Sequence, residues 1–209
     1  MAQGTSIVFV VDDDISVRES LEGLIASAGW TTETFATARD FLSRPRSLTP
    51  SCLILDISLP DIDGLELQER IAADRIDMPI IFITGFGDVP TTVKAMKAGA
   101  VEFLTKPFSE DMLLGAVENA LERSQATLSQ AAGARALRDR YDSLSRRERE
   151  VMGLVVRGLL NKQVGGELGI SEITVKAHRG RVMEKMKAAS FAELVNMAAK
   201  LGLEPAEKG

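Results

Sequence analysis

Asp56 ends the apolar run Cys52-Leu53-Ile54-Leu55, and Asp12, Asp13 and Asp14 end a similar run, Ile7-Val8-Phe9-Val10-Val11. Thr84 closes Ile80-Ile81-Phe82-Ile83, and Lys106-Pro107 follow Val101-Glu102-Phe103-Leu104-Thr105. If these runs are strands of a parallel α/β sheet, their carboxyl ends line one crevice and bring the polar residues together. Carboxylates, a hydroxyl and a lysine gathered in that way suit a divalent cation and a phosphoryl group. Mg²⁺ takes oxygen ligands and is held by one or two carboxylates plus phosphate and water.

The elements needed to hold such a crevice are legible between residues 7 and 122, where short β-rich runs alternate with helical patterns. Val17, Leu21, Leu24, Ile25 and Ala28 recur at helical spacing after the first run, and Gly29 supplies a stop. A strand at Thr31 to Phe35 precedes a short helix at Arg39 to Ser43, and the turn-rich segment Pro45 to Ser51 leads into the Asp56 strand. Leu65, Leu67, Ile71 and Ala72 mark a third helix. Gly85-Phe86-Gly87 reads as a loop, after which Asp88 or a neighbour can cap, Pro90 suits a first turn, and Val93, Met96 and Ala100 are expected to face inward. Ser109-Glu110-Asp111 opens a fifth helix with acids where the helix dipole favours them. The expected fold is a five-stranded, parallel, doubly wound α/β domain over residues 1–124.

Residues 125–142 read as an exposed, helix-favouring linker, with Leu121 and Leu128 one heptad apart and Gly133 as a weak point. Over residues 143–209 the pattern is wholly helical, with about four helices. Ser145 and Glu148 have the spacing of a capping box ahead of Val151, Leu154 and Val155, and Gly158 ends that helix. Asn161 is placed to cap a short helix ending at Gly169, and Ser171 to cap Glu172 to Met186; a last helix starts at Ser190. Two short helices joined across Gly169-Ile170-Ser171 form a helix-turn-helix pattern.

Composition bounds the function. In 209 residues, 45% hydrophobic and 26% charged, there is neither a disordered nor a fibrous signature. The net charge of −5 conceals an asymmetry: residues 1–124 carry 20 acidic against 10 basic residues, and residues 125–209 carry 10 against 15. A basic carboxyl-terminal half fits nucleic acid as its partner. Cys52 is the sole cysteine, which rules out an intrachain disulfide and fits a reducing, cytoplasmic setting. No stretch reaches the length of a membrane span, and the first residues have no signal-type pattern.

The motifs Val11-Asp12-Asp13-Asp14, Leu55-Asp56 with Pro60 and Gly64, Ile83-Thr84-Gly85 and Lys106-Pro107-Phe108 resemble the receiver domain of two-component response regulators. Leu144-Ser145-Arg146-Arg147-Glu148-Arg149-Glu150-Val151, Asn161-Lys162-Gln163 and Thr174-Val175-Lys176-Ala177-His178 resemble a LuxR-type DNA-binding domain, so that the whole looks like the FixJ/NarL class. The resemblance implies a transcription regulator phosphorylated on Asp56 by a sensor histidine kinase. It implies Mg²⁺ held by Asp12, Asp13, Asp56 and the Ser58 carbonyl, with Thr84 and Lys106 on the phosphoryl oxygens. It also implies a switch through Thr84 and the aromatic Phe103. Further implications are a homodimer formed on phosphorylation through the Val89–Lys97, Val101–Leu104 and Ser109 segments, promoter DNA as ligand, and RNA polymerase as a downstream partner.

In the DNA-binding half, Ser171 to Met186 is the expected recognition helix, with Lys176, Ala177, His178, Arg179 and Arg181 on its amino-terminal half. The family reads bases at Lys176, Ala177 and the position of Gly180. Gly180 departs from that pattern, which leaves Arg179 and Arg181 to take over; Lys162, Thr174 and Lys185 are expected on the DNA backbone. His178 is the only histidine, so the phosphoryl donor must be another molecule. One rival is a Mg²⁺-dependent phosphohydrolase of the haloacid-dehalogenase type, which Asp12-x-Asp14 followed by Ser16 resembles. That family typically has Thr where Ser16 stands and needs a later acidic pair, which is not evident near Lys106, and the reading leaves Asp56 and the helix-turn-helix without a role. The other rival, a phosphorylation-independent DNA binder with a degenerate receiver, is at odds with the presence of every expected acid, hydroxyl and lysine.

Overall fold

The computed structural model describes residues 6–45, 48–74, 78–85 and 88–203. Of the segments read from sequence, Arg46 and Ser47 in the turn-rich stretch, Phe86 and Gly87 in the loop after Thr84, and residues 204–209 lie outside the described residues. The chain forms two compact units, one up to Ser129 and one from Gln130.

The first unit alternates strand and helix: β1 (Ile7–Val11), α1 (Ile15–Ser27), β2 (Thr31–Phe35), α2 (Ala38–Ser43), β3 (Ser51–Asp56), α3 (Gly64–Asp74), β4 (Ile80–Thr84), α4 (Val89–Lys97), β5 (Glu102–Thr105) and the first part of α5 (Glu110–Asp142), whose residues from Gln130 belong to the second unit. All pairings are parallel and the strand order is β2-β1-β3-β4-β5. In a parallel sheet buried on both faces, alternate side chains must feed two cores. Phe9, Val11, Leu53, Leu55 and Phe82 pack with Phe41, Leu67, Ile71 and Ala95 on one face. Val8, Val10, Cys52, Ile54, Ile81, Ile83 and Leu104 pack with α1 and α5 on the other. Cys52 is fully buried, and this burial pushes its thiol far above the usual range, so it is a core residue.

Local chemistry fixes the helix starts. Asp14 accepts from the Ser16 N–H at 2.8 Å and caps α1; Asp88 caps α4 from the Thr91 N–H at 2.7 Å, with Pro90 in the first turn. The inward phase expected for α4 is wrong at two of three positions. Ala95 and Ala100 are buried, whereas Val93 and Met96 are exposed at 43% and 42%, beside Val89 at 75%. The small Ala95 lets α4 lie close to α3, where the buried Gln68 donates from Nε2 to the Ala95 carbonyl at 3.1 Å, and this turns the larger apolar residues outward.

The helix-favouring stretch after Ser124 extends α5, which is one helix through Asp142 and mostly exposed over residues 125–142. Ser124 is fully buried and its hydroxyl accepts from the Ser51 N–H at the start of β3. Leu137 and Tyr141 pack against the core of the second unit, so the stretch read as an exposed linker is partly structural.

The second unit continues with α6 (Arg146–Val156), α7 (Asn161–Leu168), α8 (Glu172–Met186) and α9 (Phe191–Lys200). Its core is Leu144, Val151, Met152, Val155, Val164, Val175, Val182, Met186, Leu194 and Ala198. Ser145 and Glu148 form the expected capping box. Asn161 does not cap α7. It is the first helical residue, and the Gln163 side chain instead accepts from the Leu160 N–H at 2.8 Å, while Asn161 Oδ1 takes another partner. Among the described residues no helix is long and apolar enough to cross a membrane.

Candidate functional site

Because β1 and β3 are adjacent with Val11 opposite Leu55, the acids that follow these residues emerge side by side at the carboxyl edge of the sheet. This is where the strand order reverses, the position at which open α/β sheets bind ligands. Carboxylate oxygens of Asp12, Asp13 and Asp56 lie within 4.8 Å of one another. Asp12 is 1% and Asp56 8% exposed, while Asp13 is open to solvent. Lys106, delivered by β5, places Nζ 2.8 Å from Asp12 Oδ2 and 3.3 Å from Asp56 Oδ2.

The charge balance is uneven, with three carboxylates facing one ammonium. Burial is the largest influence on Asp12 and holds its carboxyl above the usual range, despite the opposing hydrogen bonds from Lys106 and the Asp14 N–H. For Lys106 burial acts downward, but Asp12 and then Asp56 outweigh it together, and the ammonium is held above its ordinary value. Crowded carboxylates of this kind favour an added cation. The donors are all oxygens, so the set fits a hard divalent ion such as Mg²⁺ rather than a thiolate- or imidazole-seeking metal.

Backbone contacts hold the acids in place. Asp56 Oδ1 accepts from the Ser58 N–H at 3.2 Å, and Asp12 Oδ1 from the Asp14 N–H at 2.9 Å. Arg18, to which the sequence pattern assigns no role, donates from Nη1 to the carbonyls of Asp12 and Asp13 at 2.7 and 2.9 Å. Its only signal in the sequence is a lone arginine on the first turns of the helix that follows the acids. Gly64 is required by close approach, since a Cβ there would stand 2.6 Å from the Asp56 carbonyl oxygen and 2.9 Å from Ile57 Cα. Only glycine allows α3 to start this close to the strand carrying Asp56. Asp61, on the same loop, accepts from the N–H groups of Ala38 and Arg39 at 3.2 and 3.0 Å and so ties the loop to α2.

Thr84 is 1% exposed at the end of β4, and its carbonyl accepts from the Lys106 N–H at 2.8 Å. Phe103 is half-buried, its ring centroid 6.2 Å from that of Phe82. The structure therefore gathers Asp12, Asp13, Asp56 and Lys106 directly and sets Thr84 on the neighbouring strand. It brings Ser58 to Asp56 through an N–H.

In the second unit, Gly169 adopts φ 64° between α7 and α8, and a Cβ on Gly165 would meet the Ile170 carbonyl at 2.7 Å. Two glycines thus make the sharp, close turn of the helix pair. On α8, Val175, Val182 and Met186 are buried, and Thr174, Lys176, Ala177, Gly180 and Arg181 are exposed, as is Lys162 on α7. Three further residues expected at DNA differ from these: His178 and Arg179 are half-buried, and Lys185 is exposed but paired within the unit. Arg179 donates from Nη1 to Asn161 Oδ1 at 3.2 Å and lies 4.6 Å over the Phe191 ring. Lys185 pairs with Glu148 at 2.7 Å and reaches the Ser143 carbonyl. His178 is half-buried, with Nδ1 shielded from solvent. Ile173, 82% exposed on the first turn of α8, joins these residues at the outer surface without any motif in the sequence to mark it.

Residues 8–118 match the family model of the response regulator receiver domain, and residues 142–198 that of bacterial regulatory proteins of the luxR family. Among similar proteins, Nodulation protein W of Bradyrhizobium diazoefficiens is 48% identical over 97% of this chain and 89% of its own length. The transcriptional regulatory protein FixJ of the same organism is 41% identical over 94% of this chain and 96% of its own. The response regulator StyR has a solved structure with a TM-score of 0.87 at 47% identity, covering 94% of this chain and 99% of that one. Full-length FixJ from B. japonicum gives 0.57 at 40% identity, covering 98% and 100%.

Proposed function

The chain belongs to the two-component response regulators that join a receiver domain to a LuxR-type DNA-binding domain, and from that premise we propose that Asp56 stores the phosphoryl signal governing DNA binding. The observation that carries this reading is the convergence of Asp12, Asp13, Asp56 and Lys106 at one strand-end crevice. We divide the chain into a receiver over 1–124, a helical linker over 125–142 and a DNA-binding domain over 143–209.

Asp56 Oδ attacks the phosphorus of a phosphohistidine on a sensor kinase; the P–N bond breaks, the imidazole leaves with the electron pair, and an acyl phosphate forms on Asp56. Such a transfer places negative charge on three phosphoryl oxygens, so catalysis is positioning and charge stabilisation. Mg²⁺, held by Asp12, Asp13, Asp56 and the Ser58 carbonyl, would neutralise part of that charge. Lys106 pairs with one phosphoryl oxygen, its present contacts already placing it at Asp56, and the Thr84 hydroxyl donates to another. The same groups assist hydrolysis of the acyl phosphate, so the chain acts on its own modification without being an enzyme for other substrates.

The added charge, about −1.5 to −2, re-ranks the partners open to Thr84 and Lys106. Phe103 follows as the neighbouring aromatic, and the surface of α4, β5 and α5 becomes the homodimer interface. The exposed row Val89, Val93 and Met96 on α4 supports this reading, since these apolar side chains stand exposed among the described residues. A two-fold dimer then engages paired half-sites in promoter DNA through Lys162, Thr174, Lys176, Ala177 and Arg181, and acts on RNA polymerase in the cytoplasm. Arg179 and Lys185 serve mainly to hold α8 in place.

The test is acetyl-phosphate labelling with Mg²⁺, followed by sedimentation and DNA binding at fixed salt. Wild type should take label, dimerise and gain affinity; Asp56→Asn should do none of these. Undiminished labelling of Asp56→Asn would place the acceptor elsewhere.

A further inference from the structure

Ile173 is the most exposed large apolar residue among those described, at 82%, and it sits on the first turn of the helix presented to DNA. A single exposed apolar side chain needs no explanation by itself. Its position does. The buried stripe of α8 is Val175, Val182 and Met186. At about 100° per residue, the line diametrically opposite runs through Ile173, Ala177, Gly180 and Glu184. That line is the outermost ridge of α8, and its three amino-terminal members carry no hydrogen-bonding side chain. Lys176 and Arg181 are exposed on either side of it.

A helix laid in a major groove brings its outermost ridge nearest the base edges and its flanks nearest the phosphates. Set against donor and acceptor edges, an apolar ridge would leave those base groups unpaired, at a cost. One feature in that groove is apolar, the 5-methyl group of thymine. We infer that Ile173, with Ala177 beside it one turn later, is a specificity-determining residue that reads a thymine methyl group in each half-site. The inference rests on the DNA-binding reading above and specifies its ligand. The flanking cations commit the occupant to DNA, because a polyanion seats Lys176 and Arg181 while the ridge meets the base edges. Gly180 completes the surface: a Cβ there would meet nothing within 4 Å inside the protein, so its small size keeps the ridge low for close approach from outside.

The experiment uses the full chain with acetyl phosphate and Mg²⁺ at fixed salt. Half-sites are selected from a random duplex pool, and each selected thymine is then replaced singly by deoxyuridine, which removes the methyl and keeps every hydrogen-bonding group. One replacement per half-site should weaken wild type about fourfold, the worth of one methyl group withdrawn from water. The same replacement should leave Ile173→Ala unaffected, and Ile173→Val should keep wild-type sensitivity. Because the side chain is exposed, both variants should melt with wild type. Equal deoxyuridine sensitivity in wild type and Ile173→Ala overturns the proposal, as does a wild-type protein indifferent to every replacement. Loss of transcription by Ile173→Ala with an unchanged DNA profile also overturns it and assigns the residue to a protein partner. Failure to enrich any sequence refutes the DNA-binding reading itself and takes the proposal with it.

Discussion

Replacing Lys106 with Ala removes the ammonium that serves both Asp12 and Asp56, and the consequence can be worked through with and without metal. Asp12 is 1% exposed and its carboxylate keeps the Asp14 N–H as a donor; Asp56 keeps the Ser58 N–H. Breaking a buried ion pair costs about 3–5 kcal/mol. The Lys106 side chain is 26% exposed and the crevice opens to solvent, so roughly 2 kcal/mol is the appropriate figure here. For a domain of this size that corresponds to a melting temperature lower by about 8 °C. Mg²⁺ should reverse the loss, since a ligand at about a hundred times its Kd stabilises by about 2.7 kcal/mol. It should do so more in the variant than in wild type, because in wild type the ion must compete with Lys106 for the same oxygens. Phosphoryl uptake should nevertheless fall about 10²-fold, the usual cost of removing one charge-stabilising donor. Thermal melts across a Mg²⁺ series, paired with acetyl-phosphate labelling, measure both. A variant that melts with wild type in the absence of metal, or gains no more than wild type from Mg²⁺, would refute the reasoning that Lys106 acts as the resident counterion.

Gly64→Ala should cost about 1–3 kcal/mol through overpacking against Asp56 and Ile57 and should slow labelling, because the strand carrying the nucleophile must shift; unchanged labelling kinetics would count against that. Gly180→Ala should instead raise the stability of the DNA-binding unit by about 1 kcal/mol, as a Cβ there is unopposed and alanine is the better helix former, which calorimetry would read. Glu148 is held below the usual carboxylate value of 4.5, first by Lys185 and then by the Ser145 N–H. A carboxylate lowered in the folded state stabilises above its unfolded value and loses that contribution as pH falls through the folded one. The second unit should therefore weaken progressively below pH 4.5, and Glu148→Gln should lower its stability by about 1 kcal/mol at pH 7 while flattening this acid limb. A steep acid limb in Glu148→Gln would show that another carboxylate governs it.

The five-stranded sheet and the strand-end crevice were legible because both depend on patterns that sequence displays directly. Runs of β-branched and apolar residues mark strands buried on both faces, and parallel topology then fixes where Asp12, Asp56, Thr84 and Lys106 emerge. Arg18 was not legible, because its partners are backbone carbonyls and no side-chain pattern announces them. The phase of α4 was obscured for a related reason. Periodicity gives two apolar lines on a short helix, Val93 with Met96 and Ala95 alone, and the larger residues look like the core. The contact of Gln68 with the Ala95 carbonyl decides between them, and that hydrogen bond joins residues 27 positions apart.

The same limit explains why basic composition overstates the DNA-facing charge of the second unit. Counting treats Lys162, Lys176, Arg179, Arg181 and Lys185 alike. The fold divides them: Arg179 is engaged by Asn161 and Phe191, and Lys185 by Glu148 and Ser143. These contacts join α8 to its neighbouring elements, so both charges are already engaged within the unit, Arg179 half-buried and Lys185 at the surface. Lys162, Lys176 and Arg181 remain exposed, so under the proposed function phosphate attraction would come from the flanks of α8 and from α7. The outer line of α8 is then left to side chains that discriminate by shape. Affinity and sequence choice accordingly fall to different residues of one short helix pair, and Ile173 stands on the side of choice.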